Sequence, residues 1–122
     1  MKKEHLELKV KNAIAYYELE MTIDSEPGEI FKTPISIGAP FQEEGQWYCE
    51  ELVGGFSGKT VPGGSSLEAL TGALACARID IEMLDLLGYR FQVPGKPELD
   101  NNESVLKHVF GLYSSMPSKN YP

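Results

Sequence analysis

The longest periodic segment of the chain lies within residues 61–88, VPGGSSLEALTGALACARIDIEMLDLLG. This segment determines which fold class we predict. Apolar or small residues recur there at steps of three or four: Leu67, Leu70, Leu74, Ala77, Ile81, Leu84 and Gly88. Polar residues occupy the opposite side: Glu68, Thr71, Arg78, Glu82 and Asp85. This spacing predicts one long amphipathic helix. Ser65-Ser66-Leu67-Glu68 has the pattern of a capping box at its start, and Gly88 is a natural stop.

The residues on either side of this helix predict short strands and a second helix. Strands are expected over about 6–23, 30–37 and 47–53, with a short fourth over 56–61, and residues 89–93 continue in extended form. A linker over 94–101, a helix over about 102–113 and a frayed tail over 114–122 follow. We therefore predict a single α+β domain over 1–122, with its core within about 6–94. Its antiparallel sheet of three to four strands packs on one long amphipathic helix, with a shorter C-terminal helix.

Three positions constrain these strands. The alternation changes phase near Lys11-Asn12, which predicts an extra residue or a turn there. Pro34 predicts an edge or a bulge, because proline cannot donate to a ladder. If Trp47 and Val53 face inward, then Glu51 faces inward as well, unless a bulge shifts the strand.

The charge of the chain is concentrated in its first half. Eleven Lys and Arg against 18 Asp and Glu give a net charge of −7, which argues against nucleic acid as a partner. Residues 12–57 hold nine acids and only Lys32, a net charge of −8. Either this is a solvated surface, or it complements a basic protein partner. The candidate partner-binding residues are Glu18, Glu20, Glu43, Glu44, Trp47, Tyr48, Glu50 and Glu51.

No catalytic, cofactor or metal site is predicted. The Gly54–Thr60 segment has Val53 where a phosphate loop needs glycine, and Pro62 prevents a helix from following at once. Gly63-Gly64 precedes the helix, where simple capping competes with an anion site. The two histidines, His5 and His108, lie near the chain ends. Cys49 and Cys76 fit buried packing better than a nucleophile or a disulfide framework. With neither an apolar leader nor a membrane span, a cytoplasmic location is expected.

Three segments carry a resemblance. Ile37-Gly38-Ala39-Pro40, Trp47-Tyr48-Cys49 and Gly63-Gly64-Ser65-Ser66-Leu67-Glu68-Ala69-Leu70 resemble a family of small bacterial domains of uncharacterised function, over about residues 13–95. That family has aspartate where this chain has Ser65 and glutamine where it has Glu68. The resemblance implies a complete sheet-plus-helix unit but no catalytic residue. By size and charge the chain is also similar to bacterial immunity proteins, which neutralise a toxin by covering its surface.

These observations favour a small acidic cytoplasmic bacterial protein of non-catalytic, protein-binding type. One form of it is an immunity protein that inhibits a toxin through an acidic surface. Two alternatives stay open: a small-molecule-binding domain or enzyme with a pocket near Cys49, and a structural or oligomerisation module that forms homo-oligomers.

Overall fold

The computed structural model of the chain describes residue 10 and residues 12–111. The predicted strand residues before Val10, the predicted tail 114–122 and the predicted helix end beyond residue 111 lie outside the described residues. The described part forms an α+β fold with a six-stranded antiparallel sheet and two helices. In chain order these are β1 (Ala13–Ile23), β2 (Glu26–Gly38), β3 (Phe41–Glu43), β4 (Gln46–Val53), β5 (Ser57–Gly63), α1 (Ser66–Leu86), β6 (Tyr89–Gln92) and α2 (Asn102–Phe110).

The prediction of three to four strands is therefore too low. The segment between the predicted strands 30–37 and 47–53 was assigned no strand, but it contains β3, which pairs with β4 across a tight turn. Glu44 and Gly45 in that turn have φ values of 50° and 81°, the left-handed backbone that two-residue hairpin turns use. The extended segment after α1 contains β6, which pairs with β1. Both strands are short, so neither carries a pattern long enough to be recognised.

The long hairpin of β1 and β2 lies at the centre of the sheet. β1 lies between β2 and β6, and Glu51 pairs with Ile37 on one side and with Lys59 on the other, so β4 lies between β2 and β5. Because α1 follows the edge strand β5 and leads to the opposite edge strand β6, it crosses the sheet on one face. We call this the helix face and its opposite the open face.

Both predicted irregularities have a counterpart in the structure. At the predicted phase change, Asn12 has a φ of 60° and the β1–β2 register shifts between Ala13 and Ala15. At Pro34 the predicted edge is present locally, without a bulge: β2 pairs with β4 over Ile35–Ile37, so at Pro34 the strand is paired on the β1 side alone. Pro34 lies one residue beyond the last β2–β4 pair, and its carbonyl accepts from the amide of Gly54 at 2.7 Å. A proline is tolerated there because the position needs no amide donor.

Helix α1 begins as its sequence predicts. The Ser65 hydroxyl accepts from the amide of Glu68 at 3.1 Å, and the Glu68 carboxylate accepts from the amide of Gly64 at 2.8 Å. The second bond reaches one residue further back than a standard capping box. Gly88 follows the last turn with a φ of 92°.

The buried side of α1 differs from the predicted apolar stripe. Its buried residues are Ala69, Ala73, Ala77, Ile81 and Leu84, whereas Leu67 is 66% exposed. Small residues fit on this side because the backbone of α1 lies close to that of β5. A Cβ on Gly63 would lie 2.4 Å from the amide nitrogen of Ala69. Of the predicted stripe, Leu70, Leu74, Ala77, Ile81 and Leu84 do pack in the core. The prediction is wrong at Leu67 and omits Ala69 and Ala73, because alanine is a weak hydrophobic signal.

Asn102, the first residue of helix α2, hydrogen-bonds the helix to the edge strand β6. The side chain of Asn102 accepts from the amide of Phe91 at 2.9 Å and donates to the carbonyl of Tyr89 at 3.1 Å. The buried residues Val105 and Leu106 then join the same core as α1. No helix among residues 12–111 is long and apolar enough to cross a membrane.

Candidate functional site

The open face of the sheet carries three of the predicted acids. Side chains alternate along a strand, and the buried residues Leu19 and Met21 of β1 face the helices. Glu18 and Glu20 therefore face the other way, and so does Glu50, which lies between the buried Cys49 and Glu51 of β4. Neither described helix covers these three side chains.

The centre of the open face is built from small β2 residues. Pro34, Ser36 and Gly38 are buried, although they face away from the helices. Val10 packs over them: its amide donates to the Ser36 hydroxyl at 2.9 Å, and a Cβ on Gly38 would lie 3.7 Å from its side chain. The acids of β1 and β4 thus lie on either side of a strip that Val10 covers.

Among residues 12–111, one ion pair involves these three acids. The Nζ of Lys32 lies 3.9 Å from Glu18, with the side chains 71% and 41% exposed. Such an exposed pair contributes at most about 1 kcal/mol. Arg90 bonds instead to Asp24 and Asp85, at the edge of the sheet. Among the described residues, Glu20 and Glu50 thus have no ion-pair partner, and all three acids are partly exposed.

The remaining surface candidates lie at and near the β3–β4 hairpin. Glu43 and Glu44 are exposed at its turn. Tyr48 is half-buried and stacks on Phe41, with ring centroids 5.7 Å apart. Trp47 is part of the core on the helix face. The hairpin thus adds two acids and one aromatic stack, and Trp47 serves packing.

Glu51 does not lie on this surface. β4 continues through Glu51 without a bulge, so this residue faces inward, toward α1, and is 1% exposed; its prediction as a partner-binding residue is wrong. Neither carboxylate oxygen has a hydrogen-bond partner among the described residues. The Nζ of Lys59 is 3.7 Å away, and the same Nζ lies 2.7 Å from Asp80 of α1. A second bond, from the Ser57 hydroxyl to Asp80 at 2.9 Å, ties β5 to the helix.

The surroundings of Glu51 favour its neutral form. Burial raises its pKa from 4.5 to about 7, the repulsion from Asp80 adds to this effect, and Lys59 opposes it. The bond to Asp80 in turn raises the pKa of Lys59. Because α1 and β4 enclose the carboxyl group, we interpret this cluster as a buried ionic contact between helix and sheet.

The two cysteines differ in burial. Cys49 is fully buried and its thiol donates to the carbonyl of Gly38 at 3.2 Å. Burial, together with the charge of Glu50, raises the pKa of this thiol, which disfavours the reactive thiolate. Cys76 is partly exposed on α1. Among residues 10 and 12–111, no three His, Cys, Asp or Glu side chains converge as metal ligands would.

The glycine-rich segments have structural roles. Gly54–Thr60 leads into strand β5 rather than into a helix, so its amides do not converge as in a phosphate loop. At the start of α1, the amide of Glu68 donates to the Ser65 hydroxyl and the amide of Gly64 donates to the Glu68 carboxylate, so this segment caps the helix. His5 lies outside the described residues, and the His108 ring lies 6.3 Å from that of Tyr17.

No family model, curated protein or solved structure gives a significant match to this chain. The resemblance noted from the sequence stays a prediction, and the function has to be argued from the residues.

Proposed function

We propose that the protein is a non-catalytic binding domain whose open face docks on a basic protein. One observation carries the proposal: Glu18, Glu20 and Glu50 project from the same sheet face, the one that neither described helix covers. Antiparallel sheets commonly leave one face in contact with water, and opposed charge on two proteins speeds and orients their association.

The hairpin acids extend this surface. Glu43 and Glu44 lie at the turn beside Tyr48, an aromatic residue of the kind enriched where partners bind. Between the acids of β1 and β4, Val10 covers the strip of Pro34, Ser36 and Gly38, so the contacts to a partner are made by the acids on either side of it. More specifically, we propose that the partner is a toxin and that the protein inhibits it by masking its basic surface.

The proposal is tested by capture from the native host with matched variants. The double variant Glu18→Gln/Glu50→Gln removes two charges from the open face. Glu98→Gln/Glu103→Gln removes the same charge from the linker and first turn of α2. We expect a basic protein to be retained by the wild type and by the α2 control, with at least tenfold weaker retention by the open-face variant.

The salt dependence provides a second readout. Binding of the captured protein, measured by calorimetry, should weaken steeply between 50 mM and 500 mM salt, because screening shortens the reach of exposed charges. Equal capture by both double variants, or affinity independent of salt, contradicts the proposal.

A further inference from the structure

Helix α1 has a second apolar side, which faces away from the core. Ala75, Ile79, Met83 and Leu86 follow one another at steps of four, four and three residues. Ile79, Met83 and Leu86 are 52%, 56% and 76% exposed, and Ala75 is also exposed. We call these four residues the outer row.

The outer row is roughly opposite the side that packs on the sheet. With about 100° of rotation per residue, its members fall in one narrow sector, away from the buried Ala77, Ile81 and Leu84. A helix that is apolar on two opposite sides is typical of one covered on both. A contiguous exposed apolar patch also indicates a protein contact.

The charges beside the outer row indicate what covers it. Arg78 and Glu82 flank the row on one side and form an ion pair at 3.3 Å, each 46% exposed. Residue 80 lies midway between Arg78 and Glu82. It also lies close to the midpoint of the outer row, which runs from Ala75 to Leu86. A two-fold axis at that point would bring an identical helix against the row in antiparallel orientation.

Charge complementarity favours that orientation. In an antiparallel pair with this axis, Arg78 of each copy lies beside Glu82 of the other on the same flank. In a parallel pair, whose two-fold axis runs along the helices, the Arg78–Glu82 flanks of the two copies would lie on opposite sides of the interface and could not pair with each other. The row and its charged flank are thus self-complementary, as a two-fold interface requires.

We propose that two copies of the chain associate through the outer row of α1 in antiparallel orientation. Arg78 and Glu82 then form reciprocal ion pairs between the copies. The open face of the sheet lies on the other side of the molecule and remains accessible, so this dimer is independent of the function proposed above.

Sedimentation equilibrium on the whole chain, from about 1 µM to 500 µM, measures the dimer constant. Ile79→Glu and Met83→Glu each place a charge in the interface and should weaken dimerisation at least tenfold. Leu67→Glu is the matched control, because Leu67 is 66% exposed on the same helix but lies roughly 115° around it from the row. It should leave the dimer constant unchanged.

A charge exchange tests the orientation. Arg78→Glu and Glu82→Arg should each weaken the dimer, because each creates two like-charged contacts, and the combined variant should restore it to within about threefold. Circular dichroism on every variant confirms that α1 is intact. A wild type that stays monomeric at 500 µM overturns the proposal, as does equal weakening by Leu67→Glu. Failure of the combined variant to restore the dimer overturns the antiparallel arrangement. Binding of a different protein through the row by a chain that does not self-associate also overturns it.

Discussion

Replacing Glu51 with glutamine should make the stability of the protein less dependent on pH. Glu51 is 1% exposed, and neither of its oxygens is hydrogen-bonded within the described part of the chain. Glutamine has nearly the same shape and carries no charge at any pH. The variant therefore removes the cost of burying a carboxylate and leaves the packing of β4 against α1 in place.

The sign and size of the effect follow from the pKa. Burial raises the pKa of Glu51 from 4.5 to about 7, so between these values the folded protein binds more protons than the unfolded chain. Its stability therefore falls as the pH rises through this window. The complete effect corresponds to about 3 kcal/mol, of which about 1 kcal/mol is already lost at pH 5. The wild type should lose about 2–3 kcal/mol through Glu51 between pH 5 and pH 8.5, and the glutamine variant should lose none of it.

Urea unfolding at pH 5, 6, 7 and 8.5 measures this difference. A buried amide has a pH-independent cost of its own. The quantity to compare is therefore how the difference in the free energy of unfolding between variant and wild type changes with pH. Glu50→Gln is the matched control, because Glu50 is the neighbouring residue on the opposite face of β4. If the difference in the free energy of unfolding between Glu51→Gln and wild type stays constant within about 0.5 kcal/mol from pH 5 to pH 8.5, the pKa of Glu51 is not raised by burial.

The remaining predictions concern packing, capping and thiol access. Gly63→Ala should destabilise the protein by about 2–3 kcal/mol in urea unfolding, because its Cβ would meet the backbone of the first turn of α1. The control Gly38→Ala, whose Cβ would make ordinary contacts at 3.7 Å, should change the free energy of unfolding by less than about 1 kcal/mol. Equal losses of stability in the two variants would contradict the close contact at Gly63. Ser65→Ala should cost about 1 kcal/mol through the lost cap bond, measured by thermal unfolding; an unchanged melting temperature would contradict it. A colorimetric thiol reagent should label Cys76 quickly and Cys49 only after denaturation, because Cys49 is fully buried; rapid labelling of both thiols would reverse this assignment.

The main features of the fold could be predicted from the sequence because they rest on local signals. The capping serine and the terminal glycine define α1, and alternation defines β1 and β4. The pairing of β6 with β1 depends on residues more than 60 positions apart, which leaves no local pattern. The buried side of α1 was predicted in part: Ala69 and Ala73 were omitted because alanine at a close helix–sheet contact contributes little hydrophobic signal, and the exposed Leu67 was included in their place.

The candidate surface could be predicted only in part. Strand alternation is sufficient to place Glu18 and Glu20 on one face and to turn Glu51 inward. The partners of Glu51 could not be predicted, because Lys59 and Asp80 come from a different strand and from α1. The outer row of α1 was also missed: one amphipathic helix was assumed to have one apolar side, so Ile79 and Met83 were given no role.

Hydrogen exchange on the protein, free and bound to the basic protein captured from its host, tests the central claim most directly. The account predicts new protection in β1 around Glu18 and Glu20 and in β4 around Glu50, with exchange in α2 unchanged. Protection confined to α1 or α2, with β1 and β4 exchanging as in the free protein, would contradict it.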